Sequence, residues 1–277
     1  PSTVRLFFQI SARRVPVSLR PVMPDGDKYD PQYHQAAEAL LVCPECAAPL
    51  AAGDYEAHLR QAHRLYYFRG ARRPYTEALA HLLNLLASPA PDAEAWPVLR
   101  TAVRDRIGAG ADAVLAALLG ALLSRVGADA RAAVIGGLAD LLARDDDARL
   151  VAALAGAGET LPRWLALAVI GRQAPPFDPA LLPPLRSLLP DRRLPAEAQL
   201  SAFAALMRSA GPESGVVAEL LPKLVGGLGK KRAVDRLREL EQSCGKSSAI
   251  DALCARLEER MRMNCPRCPA QRAGTSA

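Results

Sequence analysis

Four residues have both the type and the spacing to hold a metal ion: Cys43, Cys46, His58 and His63. Two residues separate the cysteines and four separate the histidines, so the set offers two thiolates and two imidazoles to one centre. That donor set suits Zn²⁺, which takes soft or borderline ligands in a tetrahedron, sulfur at about 2.3 Å and nitrogen at about 2.0 Å. Protein atoms would fill all four positions and leave none for an activated water, so the expected role is structural, not catalytic. The alternative is two unrelated thiols and two surface histidines.

Residues 41–66 thereby resemble a C2H2 zinc finger. The resemblance implies a small ββα-like module with Leu50, Tyr55 and Leu59 as its apolar core and structural Zn²⁺ as cofactor. Such an ion supplies on the order of 10–16 kcal/mol of folding free energy, more than so short a segment obtains from burial. One spacing departs: eleven residues separate Cys46 from His58, where the family usually has about twelve. Histidines five apart also sit roughly 140° apart on an ideal helix, so the last turn must loosen for both rings to converge. The base-reading positions of the family, −1, 3 and 6, fall on Ala51, Asp54 and Ala57. Two of these lack a hydrogen-bonding group and the third repels phosphate, so sequence-specific DNA reading is not expected.

Two neighbouring motifs could carry further chemistry. The strip HRLYYFRGARR interleaves Arg64, Arg69, Arg72 and Arg73 with Tyr66, Tyr67 and Phe68. Rings and guanidiniums together suit single-stranded bases and phosphates. Equally, the rings could pack the module against the first following helix while the arginines face water. Near the other end, Cys265 and Cys268 repeat the CPxC pattern of Cys43 and Cys46. They read as half of a second metal site, truncated or degenerate, or as part of a four-cysteine site with Cys244 and Cys254. A redox pair lacks the βαβ context it needs. CGKSS and GGLGKK lack the leading glycine of a phosphate-binding loop, and His34 and His81 have no nucleophile beside them to activate.

The elements that must position these residues are mostly helical. A short strand is expected in TVRLFFQI, followed by a helix capped by Asp30 with Pro31 at its first position and running through YHQAAEALL. Beyond RRPYTE, Ala- and Leu-rich segments punctuated by Gly, Pro and Asp predict helices near 76–87, 93–107, 111–125, 129–144, 147–157, 161–171, 179–188, 195–209, 214–227, 231–242 and 247–262. Apolar rows include Val114, Leu118, Leu122 and Val126, and Leu200, Phe203 and Met207. The rhythm of short helices and short turns resembles HEAT or armadillo-like solenoids; an irregular bundle fits nearly as well. The fold class is therefore mainly α: an extended segment 1–30, a finger-like module 31–74, a helical repeat-like domain 75–262 and a CPxC tail 263–277.

Composition narrows the partners. Of 35 basic residues 30 are Arg, which together with abundant Ala, Gly and Pro is what a high-GC bacterial source gives. Net charge is +3 over residues 1–74, −3 over 75–221 and +6 over 222–277. A protein partner is expected, with nucleic acid as the alternative through residues 64–73 and the basic C-terminal helices. The apolar runs AVLAALLGALL and WLALAVIG fall short of the ~18–20 residues that span a bilayer, so no membrane is expected. No secretory pattern opens the sequence, which points to the cytoplasm and to reduced thiols.

Overall fold

The computed structural model describes residues 40–263 except 146 and 227. The predicted N-terminal strand, residues 31–39 of the capped helix, His34, Cys265 and Cys268 lie outside the described residues. The chain divides into two compact units, Pro1–Leu79 and Ala80–Ala277.

The first unit holds two hairpins and a helix. Strands β1 (Leu40–Val42) and β2 (Pro49–Ala51) pair antiparallel, with Leu41 opposite Leu50. A 3₁₀ turn at Ala52–Asp54 leads into α1 (Tyr55–His63). Leu40 and Leu41 thus belong to a strand, not to the helix expected through YHQAAEALL. The cause is the cysteine turn beside them. It closes with the Cys43 N–H on the Ala48 carbonyl at 2.9 Å and the Ala47 N–H on the Cys43 carbonyl at 2.7 Å. The arms on either side then satisfy their backbone groups across the hairpin.

The second hairpin, β3 (Leu65–Phe68) and β4 (Ala71–Pro74), is formed by the basic aromatic strip. Phe68 faces Ala71, leaving Arg69 and Gly70 as a two-residue loop with φ of 47° and 79°. Two positive φ values define a type I′ turn, whose twist matches that of the flanking strands. Alternation puts Tyr66 and Phe68 on the buried face and leaves Leu65 and Tyr67 half-buried.

In the second unit the helical expectations hold to within about two residues at each end. After α2 (Tyr75–Leu86) come α3 (Ala95–Ile107), α4 (Ala111–Arg125), α5 (Ala128–Leu142), α6 (Ala148–Gly156) and α7 (Thr160–Ile170). Then follow α8 (Leu182–Leu188), entered by a 3₁₀ turn at Pro179–Leu181, α9 (Ala196–Ala210), α10 (Gly215–Val225), α11 (Lys230–Cys244) and α12 (Ser248–Met263). Next-but-one contacts recur: α4 on α6 and α6 on α8, α5 on α7, α7 on α9 and α9 on α11, α10 on α12, with α4 also reaching α7. Sequence neighbours meet as well, as α6 does with α7 and α11 with α12. The α4 row faces somewhat differently from the expected one: Leu115, Leu119, Leu122 and Leu123 are buried, while Val114 and Leu118 sit at the edge.

Helices α3 and α4 join through a 3₁₀ turn at Gly108–Gly110 into a 31-residue helical stretch, which by length and composition alone could cross a bilayer. In this fold Trp96, Leu99, Leu115, Leu119, Leu122 and Leu123 of that stretch are core residues.

Small residues let these helices approach closely. A Cβ on Gly120 of α4 would stand 2.8 Å from the Pro162 ring of α7. One on Gly137 of α5 would collide with the Pro89 carbonyl and come within 2.6 Å of Pro91. Polar groups fasten the loops. Asp147 caps α6 through the Leu150 N–H and accepts from Arg100 at 2.7 Å and Arg104 at 2.9 Å, while Asp145 accepts from the Trp96 indole and from Arg100. The α5–α6 loop is thereby tied to α3. Gln199, buried, donates its amide to the Leu189 and Asp191 carbonyls, both at 2.9 Å, and so satisfies the end of α8.

Gly137→Ala should lower stability by about 1–3 kcal/mol, since backbone, not a movable side chain, blocks the added methyl. The check is a reduced thermal midpoint with helical circular dichroism retained at low temperature.

Candidate metal centre

The β1–β2 turn and α1 bring the four predicted donors together. Cys43 Sγ, Cys46 Sγ and the ring nitrogens of His58 and His63 all lie within 4.8 Å of one another. The two Nε2 atoms are 3.2 Å apart, Cys46 Sγ is 3.3 Å from His58 Nε2, and Cys43 Sγ is 3.4 Å from His63 Nε2. Tetrahedral bonding at the usual zinc distances gives edges of about 3.3 Å between nitrogens and about 3.5 Å between nitrogen and sulfur. The separations match those edges. Hydrogen bonding accounts for them less well. Each Nε2 has one in-plane site, a proton or a lone pair, yet each faces both a sulfur and the other nitrogen. A cation between the four groups satisfies all of them at once. The cluster could therefore hold a metal ion, with a donor set that suits zinc.

Local backbone explains the convergence. The Arg64 N–H bonds the Leu59 carbonyl, five residues back, and Arg64 closes the helix in the left-handed region at φ 58°. The wider final turn draws His63 back toward His58, whose rings meet edge to face with centroids 5.0 Å apart. On the other side, Ala47 takes φ 58°, which lets the cysteine turn close. Cys43 is buried and Cys46 exposed. Burial alone would push the Cys43 thiol up. The backbone N–H groups of Glu45 and Cys46 and the Cys46 side chain outweigh it and bring the thiol below its ordinary range, toward the thiolate a metal needs.

The apolar support is thin. Leu59 is fully buried, whereas Leu50 and Tyr55 are only half-buried. The second hairpin adds to it. Tyr55 meets Tyr67 edge to face at 6.3 Å, and Arg72 reaches back from β4 to Glu45 in the cysteine turn at 2.7 Å. This bracing was missed in the sequence. Its signal was a two-residue loop containing glycine between a β-prone run, LYYF, and a second short segment.

The other singled-out residues fall as follows. Along the strip, Arg64 and Arg69 are exposed, Arg69 lying 5.3 Å over the Phe68 ring, Arg72 pairs with Glu45, Arg73 is half-buried opposite Tyr66, and Tyr66 is buried 5.7 Å from Tyr75. Ala51, Asp54 and Ala57 do occupy helix positions −1, 3 and 6, because the 3₁₀ turn begins at Ala52. Cys254 is buried in mid-α12, where burial raises its thiol, and Cys244 is half-buried with its sulfur 3.8 Å from the Ala204 carbonyl. At CGKSS the start of α12 already has an anion: Glu213 accepts from the Ser248 N–H at 2.7 Å and from its hydroxyl.

Fold and site together define a class: a Cys2His2 cluster on a β-hairpin and helix, followed by a mostly helical region. No protein-family model matches the chain, and neither curated proteins nor solved structures provide a match.

Arg64→Gly should stabilise the module by about 0.5–1 kcal/mol, because glycine adopts the left-handed helix end without a Cβ penalty. Slower amide exchange across residues 55–68 is the expected measurement.

Proposed function

We propose that this chain is a non-enzymatic adaptor, in which a zinc-stabilised C2H2-like finger is joined to a HEAT-like helical scaffold that binds another protein. The observation that carries the proposal is the meeting of Cys43, Cys46, His58 and His63 at tetrahedral separations with every position taken by protein. An ion so enclosed gives shape, since it has no open position for water or substrate. The next-but-one contacts α4–α6–α8, α5–α7–α9–α11 and α10–α12 support the scaffold, because helices stacked in this way present extended surfaces to partners. Unpaired thiols at Cys43, Cys46, Cys244 and Cys254 suit a reducing compartment such as the cytoplasm.

Purified protein should carry one zinc per chain by elemental analysis. Chelation should unfold residues 40–74, seen as loss of amide protection there, while helical circular dichroism persists. Cys46→Ser should weaken zinc binding by at least about tenfold. Acidification should release the ion, because protons compete with it for the imidazole nitrogens and the thiolates; affinity falls as pH drops. Protein without zinc, or residues 40–74 indifferent to chelation, would reject the finger.

The adaptor role is tested separately, by crosslinking and mass spectrometry of the native protein. A reproducible partner crosslinked to α3–α12 is expected. Measurable turnover of a substrate with no partner recovered overturns it.

A further inference from the structure

The first turn of α11 and the last turns of α12 lie together, because the Lys230 ammonium donates to the Arg260 carbonyl at 3.0 Å. Those turns carry Lys231, Arg232, Arg256, Arg260 and Arg262, all exposed. Among the described residues none of the five forms an ion pair. Glu241 and Asp251 are held by Arg238, and Glu197 by Arg236. Arg256 turns its Nε–H to the Ala252 carbonyl of its own helix. Asp235, Glu239, Glu258 and Glu259 share these helices, Asp235 within one turn of Lys231 and Arg232 and Glu259 within one turn of Arg256 and Arg262, yet among the described residues none of them pairs directly with the five cations.

Helix stability accounts for only part of this placement. Arg260 and Arg262 do complement the negative end of α12. Lys231 and Arg232, however, occupy the positive end of α11, whose first turn carries no acid and whose last turn carries no base. Both ends of α11 are therefore charged against its dipole. The Lys230–Arg260 contact brings the cation-bearing turns of the two helices together.

We propose that this cluster, Lys231, Arg232, Arg256, Arg260 and Arg262, is a binding site for the phosphate backbone of duplex nucleic acid, independent of sequence and of the metal centre. The chemistry favours a duplex over the other polyanions. None of the five has an aromatic neighbour in α11 or α12, so the stacking that holds single-stranded bases is missing. A membrane-bound helix buries a broad apolar face beside its cations, but Leu253, Leu257 and Met261 of α12 are already half-buried, leaving Met263 as the exposed apolar residue. Phosphates spaced along a backbone need only cations on a convex surface.

The test is a fluorescence-anisotropy titration of the full chain against a labelled mixed-sequence 20-base-pair DNA between 50 and 200 mM salt. Binding at 50 mM salt is expected, with a slope of log affinity against log salt of about −4, near 0.9 per phosphate neutralised. The triple variant Lys231→Ala, Arg232→Ala, Arg260→Ala should shallow that slope by about 2.5 and weaken binding by at least about tenfold at 50 mM salt. The charge-preserving variant Lys231→Arg, Arg232→Lys, Arg260→Lys should retain it, which separates lost charge from lost fold. Arg64→Ala with Arg69→Ala in the other unit should change nothing. The proposal is overturned by an absence of binding at 50 mM salt or by a triple variant with unchanged slope. Tighter binding to single strands, or to vesicles of anionic phosphatidylserine, than to the duplex also overturns it. Zinc content and amide protection in residues 40–74 report the metal centre separately, so failure of one proposal is not mistaken for failure of the other.

Discussion

Two imidazole nitrogens 3.2 Å apart, each also facing a thiol sulfur, set the terms for the whole first unit. Neutral rings in that position compete for the same proton, and charged ones repel. A bound cation converts the crowding into attraction, and the surrounding backbone fits that requirement. The cysteine turn closes through a left-handed Ala47, the helix widens at its end through a left-handed Arg64, and Glu45 is held from outside by Arg72. With Leu59 fully buried and its neighbours half-exposed, side-chain burial alone is a weak reason for these elements to stay assembled.

The helical unit rests on different physics. Ala and Leu fill its interior, and glycine or proline at the crossings lets helix backbones approach closely, as where Gly120 meets Pro162. Many of its contacts join helices one or two apart in the chain, as α6 with α7 and α7 with α9. Loops are fastened by polar groups. Asp147 serves at once as helix cap and as anchor for two arginines, with 13% of its side chain exposed. Removing that carboxylate would leave a bare helix end and Arg104 with only the longer pair to Asp112 at 3.6 Å, while Arg100 would keep Asp145.

What the sequence made legible follows from how local each cause is. The helices from α2 to α12 were readable because period, capping residues and breakers all act within one turn or two. The four donors were readable because metal geometry imposes fixed spacings. Leu40 and Leu41 were misassigned because the Ala- and Glu-rich residues before them favour helix, while the strand arises from pairing with Pro49–Ala51 across the cysteine turn. The second hairpin was missed because Arg69 is an unusual residue for a left-handed turn position, and only Gly70 marks it. The row on α4 was displaced by one position because nearly every residue of that helix is apolar, so no single face stands out.

The second hairpin also decides what the finger-like module has left to offer a partner. Tyr66 and Phe68 turn inward, at 7% and 8% exposure, and the half-buried Tyr67 ring packs against Tyr55. Arg72 is drawn to Glu45. The rings that looked like a recognition strip in sequence are therefore largely committed to holding the module together, as is Arg72 among the cations. Its helix adds little, since Ala51 and Ala57 carry no polar side chain at two of the three base-reading positions. Five further exposed cations, Lys231, Arg232, Arg256, Arg260 and Arg262, stand in α11 and α12, and Lys231 and Arg232 oppose the dipole of their own helix. The two units thus divide the work by chemistry: where an ion is to be held, side chains are spent on one another, and where side chains remain free, helix packing has already settled the fold.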